Sequence, residues 1–190
     1  AAVVPLLVAV DQEGGMVSRL KEEFGFPPTV SEQYLGTIDN IAITRKYART
    51  TAAVLARLGI NTNFAPVVDL NRNPENPIIG KLGRSYSDKP DVVIRHACAV
   101  IDALHEKGIC SAIKHFPGHG SSAGDSHTGF VDVTKAWSPV ELMPFHKIIG
   151  SGLCDMVMTA HIFNEKLDPL WPATMSVRTV SGILRDEFHY

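Results

Sequence analysis

Along this chain short apolar runs alternate with longer stretches of helical periodicity, and that alternation narrows the fold more than any single residue does. Strand, loop, helix, repeated, is the grammar of βα units and a parallel sheet. Residues 4–10 read as the first strand, within an uncharged apolar stretch at residues 1–10 that is expected to be buried. After a long loop, residues 41–58 place Ala42, Tyr47, Ala48, Thr51, Val54, Leu55 and Leu58 at helical spacing, with Gly59 as the stop. Residues 61–65 read as the second strand, 66–90 as a loop rich in Asn, Pro and Gly, and 92–105 as a helix ended by Gly108. Residues 109–114 form the third strand, and the loop 115–137 leads to a helix opened by Ser138-Pro139, an N-cap residue with proline at the first helical position. Residues 155–160 are the fourth strand, and a last helix begins near Ser176.

Parallel βα units build either a doubly wound sheet or a (β/α)₈ barrel, and both gather their chemistry at the carboxyl ends of the strands. Polar residues cluster in those places: Asp11, the segment 66–69, Lys114-His115 and His161 each follow a strand. A dinucleotide-binding sheet needs a G-x-G-x-x-G turn after its first strand, which DQEGG does not supply. The expected fold is therefore α/β, a partial TIM-type (β/α)₈ barrel. A closed barrel takes about 250 residues. The 190 residues are accordingly read as one domain, an internal fragment of a larger barrel, presenting an open arc of parallel strands.

Composition excludes several classes. With 45% hydrophobic and 20% charged residues the chain can bury a substantial core. Its 18 basic and 20 acidic side chains carry no long run of either sign, which argues against nucleic acid as a partner. The stretch 1–10 is half of the roughly 20 residues a bilayer requires and has no basic leader, so no membrane partner is expected. Cys98, Cys110 and Cys154 lie in apolar surroundings at no metal-ligand spacing, the usage of a reducing, cytoplasmic compartment. No cofactor motif is present, and the sequence does not encode an oligomeric state.

The chemistry concentrates in KHFPGHGSSAGDSH, residues 114–127, where three histidines, a lysine and an aspartate share one loop at a strand end. Asp125 and His127 stand two apart, so a bend would let the carboxylate hold one ring nitrogen and leave the other for proton transfer. Gly118, Gly120 and Gly124 permit such a bend. His115, His119, His127 and Asp125 could instead bind zinc in a metal-dependent hydrolase, but Pro117-Gly118 prevents the helix that would align the H-x-x-x-H pair. Asp69 follows a strand and is suited to support the pocket floor. His96, His105, His146 and His189 fall in helical stretches and read as ordinary surface or core residues, and Trp137 and Trp171 as packing residues.

The run KHFPGHG followed by DSH resembles glycoside hydrolase family 3, in its β-N-acetylglucosaminidase branch. AVDQEGGMVSRL, APVVDLN, GRSYSDKP, MTAHIFNEKLDP and PATMS occur in the order of that family. The resemblance implies hydrolysis of terminal β-linked N-acetylhexosamine by a retaining mechanism, with His127 as general acid/base oriented by Asp125. It implies that Asp11, Arg19, Arg84, Lys114, His115 and His161 bind a saccharide containing N-acetylglucosamine, with no cofactor and no metal. It further implies that the nucleophilic aspartate lies in an F-S-D-D-L-like segment just beyond residue 190. A phosphorylase, or a sugar-binding relative without turnover, would carry the same pattern. The natural substrate stays open between muropeptide, which would mean peptidoglycan turnover, chitin oligomer and glycoconjugate.

Overall fold

The computed structural model describes Val4, residues 6–127 and residues 129–190. A four-stranded parallel sheet runs β1 (Ala9–Val10), β2 (Thr62–Asn63), β3 (Cys110–Phe116), β5 (Met156–Thr159), each strand beside the next in chain order. That sequential order is the winding of a (β/α) barrel, whereas a doubly wound sheet reverses direction at a switch point. A second, two-stranded parallel sheet pairs β4 (Val131–Asp132) with β6 (Ile162–Phe163) above the carboxyl ends.

Between the strands lie α1 (Glu32–Ile38), α2 (Ile41–Arg57), α3 (Pro90–His105) and α4 (Met143–Gly150). The Asn40 side chain starts α2 by accepting from the backbone N–H groups of Ala42 and Ile43, at 3.0 and 3.3 Å. Thr44, Ala48, Ala52 and Leu55 form its buried stripe, and Val93, Ala97, Ile101 and Leu104 the matching stripe of α3. Losing the Asn40 cap to alanine would cost about 1 kcal/mol. The largest core lies between the sheet and its helices, where Ile113 and Phe116 of β3 meet Val93, Ala97, Ile101, Phe145 and Leu184. Phe116 sits edge-on to Phe145 at 5.3 Å between ring centroids, a favourable aromatic arrangement.

Several expectations need correction. The described residues of the stretch 1–10 do not form a long buried strand: Val4, Leu6 and Leu7 are 75%, 76% and 66% exposed, and of the described residues in this stretch only Ala9–Val10 is strand. The physical reason is that β1 has β2 as its one sheet neighbour, so nothing among the described residues covers its outer edge; residues 1–3 and Pro5 lie outside the described residues. The loop after β1 contains α1, capped by Ser31 accepting from Tyr34 N–H at 3.1 Å. The helix expected at Ser138-Pro139 opens as a 3₁₀ turn, Pro139–Leu142, before α4. The last helix, Arg178–Glu187, is wound in π fashion.

Candidate active site

A parallel strand buried on both faces normally sends alternate side chains inward and outward. In β3 that alternation breaks after Lys114, because the register with β5 passes from Lys114↔Met158 to Phe116↔Thr159 and leaves His115 as an extra residue. Such an irregularity re-aims a side chain. Ile113 and Phe116 face the helices, while Lys114 and His115 both face a cleft of about 590 Å³ at the carboxyl ends of the strands.

Asp11, Arg19, Arg84, Lys114, His115, His127 and His161 all line this cleft, although they come from segments up to 150 residues apart. Asp125 stands behind His127. Its Oδ1 accepts from both the backbone N–H and Nδ1 of His127, each at 2.8 Å. Those two bonds, the backbone one foremost, hold the Asp125 carboxyl below the usual range. His161 Nδ1 meets Thr174 Oγ1 at 2.9 Å, which fixes its ring at the rim. His119 is buried in the wall of the same cleft, where its Nε2 meets Ser126 Oγ at 3.1 Å. Trp137 is core, donating its indole N–H to the Pro117 carbonyl at 3.0 Å, whereas Trp171 is exposed.

The floor contains carboxylates that sequence reasoning passed over. Glu13 is almost wholly buried and accepts from Arg84 Nε and Nη2 at 2.7 and 2.8 Å, with Lys114 Nζ at 2.6 Å. It lies two residues after Asp11, so the i, i+2 rule for extended chain was the signal that could have found it. Lys114 Nζ also reaches Asp11 Oδ1 at 2.8 Å. Asp69, expected to support the floor, is fully buried and accepts from His115 Nδ1 at 2.6 Å and from the His119 backbone N–H at 2.7 Å. Glu141 braces the loop from its other side, accepting from Ser121 N–H at 3.3 Å; burial pushes its carboxyl up to about 7. No group of three or more His, Cys, Asp or Glu side chains among the described residues is arranged to hold a metal ion, so His115, His119, His127 and Asp125 do not converge on one.

All three cysteines are free thiols, and no helix among the described residues is long and apolar enough to cross a membrane.

The chain is similar to curated and solved proteins over nearly all its length. It is 39% identical to the β-hexosaminidase A of Pseudoalteromonas piscicida across 98% of the chain and 34% of that protein. It is 36% identical to the β-hexosaminidase of Tolumonas auensis across 100% of the chain and 56% of that protein. The crystal structure of a β-N-acetylhexosaminidase from Beutenbergia cavernae superposes with a TM-score of 0.91 at 34% identity, over 98% of this chain and 56% of that one. A glycoside hydrolase family 3 β-N-acetylglucosaminidase from Paenibacillus sp. gives a TM-score of 0.91 at 39% identity, over 98% and 35%. The chain thus spans about a third to just over half the length of these relatives. The family described as "Glycosyl hydrolase family 3 N terminal domain" matches residues 1–190, and the chain belongs to that family.

Proposed function

We propose that this chain forms the sugar-binding and acid/base portion of a retaining β-N-acetylhexosaminidase, which removes terminal β-linked N-acetylglucosamine from saccharides. The observation that carries the reading is the Asp125–His127 pair at the cleft mouth. An ionised carboxylate only accepts, so Nδ1 of His127 carries the proton in that bond and Nε2 is the nitrogen that faces substrate. As imidazolium, Nε2–H donates to the glycosidic oxygen while the C1–O bond breaks. As neutral imidazole, Nε2 then takes a proton from the water that releases the sugar. Asp11 accepts from a ring hydroxyl, and Arg19, Arg84, Lys114 and His161 supply further contacts around the sugar, with His115 in the wall between them.

A retaining reaction also needs a carboxylate on the opposite face of the ring. The cleft carboxylates Asp11 and Glu13 are both tied to Lys114, at 2.8 and 2.6 Å, so the reading assigns the nucleophile to a residue outside these 190 and the chain to an internal portion of a longer barrel domain. A cytoplasmic location rests on the cysteine usage alone. In the active enzyme, His127→Ala should slow hydrolysis of an aryl β-N-acetylglucosaminide by about 10²–10⁴-fold. A wild-type rate in that variant would sink the acid/base assignment. A covalently trapped sugar found on Asp11 or Glu13 would sink the assignment of the nucleophile.

A further inference from the structure

Counting donors on the cleft floor shows how little of each cation is left for a ligand. Arg84 uses Nε–H on Glu13 Oε2, one Nη1–H on the Ile78 carbonyl, and its Nη2 hydrogens on Glu13 Oε1 and His115 Nε2, at 2.7, 2.8, 2.8 and 3.2 Å. A guanidinium has five N–H groups, which leaves a single Nη1–H. Lys114 places one ammonium hydrogen on Asp11 and one on Glu13, which leaves a single N–H of its three.

The same contacts determine the state of His115. Arginine cannot accept a hydrogen bond, so Nε2 of His115 must accept from Arg84. Asp69, ionised, must accept from Nδ1–H. His115 is therefore a neutral ring with both nitrogens engaged inside the protein, and it meets a sugar through its ring face and edge.

We infer that Glu13 is the positioning residue of this cleft: it clamps Arg84 and Lys114 so that each offers one directed donor to the sugar, and through Arg84 it fixes His115 as a neutral ring. The inference rests on the reading of Arg84 and Lys114 as sugar-binding residues. The Glu13 side chain is 1% exposed and both of its oxygens are engaged by Arg84 and Lys114, so it acts through those two partners. Burial alone would raise its pKa, but the Arg84 hydrogen bonds and the charges of Lys114 and Arg84 more than offset this and keep it ionised. Glu32, directly beneath, behaves in the opposite way. Burial, with the negative charge of Glu13 added, pushes its carboxyl well above the usual range. Glu13 is the carboxylate that touches both cations, whereas Asp11 touches Lys114 alone.

The test compares Glu13→Gln and Glu13→Asp with Glu32→Gln, which is isosteric with a protonated acid. In the active, longer enzyme KM and kcat are measured on an aryl β-N-acetylglucosaminide, and the ring ¹⁵N shifts of His115 are recorded. The Gln variant removes the charge and the Asp variant shortens the reach, so both should raise KM, by up to about 100-fold for Gln. The acid/base limb of the pH profile should stay where it is. Glu32→Gln should leave KM within about twofold, since Glu32 makes no hydrogen bond or ion pair with either cation. In the unaltered protein His115 Nε2 should resonate as a hydrogen-bonded acceptor nitrogen, and in Glu13→Gln it should move toward the free, unbonded position. An unchanged KM in both Glu13 variants, or a doubly protonated His115 ring in the unaltered protein, would overturn the inference. Should the longer enzyme cleave no β-N-acetylhexosaminide, the functional reading falls, and an unmoved Nε2 shift in Glu13→Gln would still overturn the clamp.

Discussion

Asp69 holds His115 from below: its carboxylate, with no exposure to solvent, accepts from the imidazole Nδ1 at 2.6 Å and from the His115 backbone N–H at 3.2 Å. Burial works against the charge, but the interaction with His115, supported by the His119 backbone N–H, more than offsets it and keeps Asp69 below the usual carboxylate range. A folded-state pKa below the unfolded value of about 3.9 gives stability that is present above that pH and lost as the pH falls through the folded value. Asp69→Asn should cost about 1.5–3 kcal/mol at pH 7. In urea titrations its deficit against wild type should shrink below pH 4. A deficit independent of pH would contradict an ionised Asp69.

Asp125→Asn should lose a large share of the rate that His127→Ala loses. The amide oxygen can still accept from the His127 backbone, but the charge that favours imidazolium is gone. Hydrolysis of an aryl β-N-acetylglucosaminide at the unaltered rate would show that the pair does not work as a unit.

Glu141 has the opposite sign to Asp69. Its carboxyl is raised from 4.5 to about 7, first by burial, so the folded protein binds more protons than the unfolded chain between those values. Its contribution to stability therefore declines as the pH rises through that window, by an amount on the order of 3 kcal/mol. Glu141→Gln should flatten the decline. The check is the urea midpoint at pH 5 and pH 8, and an equal pH slope in the two proteins would rule the assignment out.

Gly120→Ala should unfold the root of the acid/base loop. A Cβ there would run into the carbonyl oxygen of Leu70, a backbone atom that cannot swing aside. A cost of about 1–3 kcal/mol or more is expected, with a matching fall in melting temperature. An unaffected melting temperature would mean that the loop does not seat against residue 70.

The four βα units were legible because each repeats a local pattern, an apolar run followed by a helical stripe such as Thr44, Ala48, Ala52 and Leu55. Lys114, His115 and His161 were legible because a polar residue at the end of a strand has few other places to go. Glu13 and Glu141 were harder to read because their roles depend on partners outside any short window, whereas Asp69 was legible from its place after a strand. Glu13 and Arg84 are 71 positions apart, and no short window contains both. Exposure at residues 4 and 6–8 was misjudged for a related reason, since burial of an apolar strand depends on what lies beside it in the sheet. The loop 11–40 hid α1 because that helix is only seven residues long and its buried residues, Glu32 and Leu35, include a carboxylate that breaks the apolar stripe.

The pairing of β4 with β6 joins the loop that follows β3 to the loop that follows β5, in register at Val131↔Ile162 and Asp132↔Phe163. His127 stands four residues before this seam on one side and His161 one residue before it on the other. On the proposed reading, the proton donor is thus carried by a lip that two loops share. Any excursion that admits a saccharide must carry His161 along with His127, or else peel the seam apart. The proposed acid/base and one wall of the proposed sugar cradle would then move together against the floor of Asp11, Glu13 and Lys114.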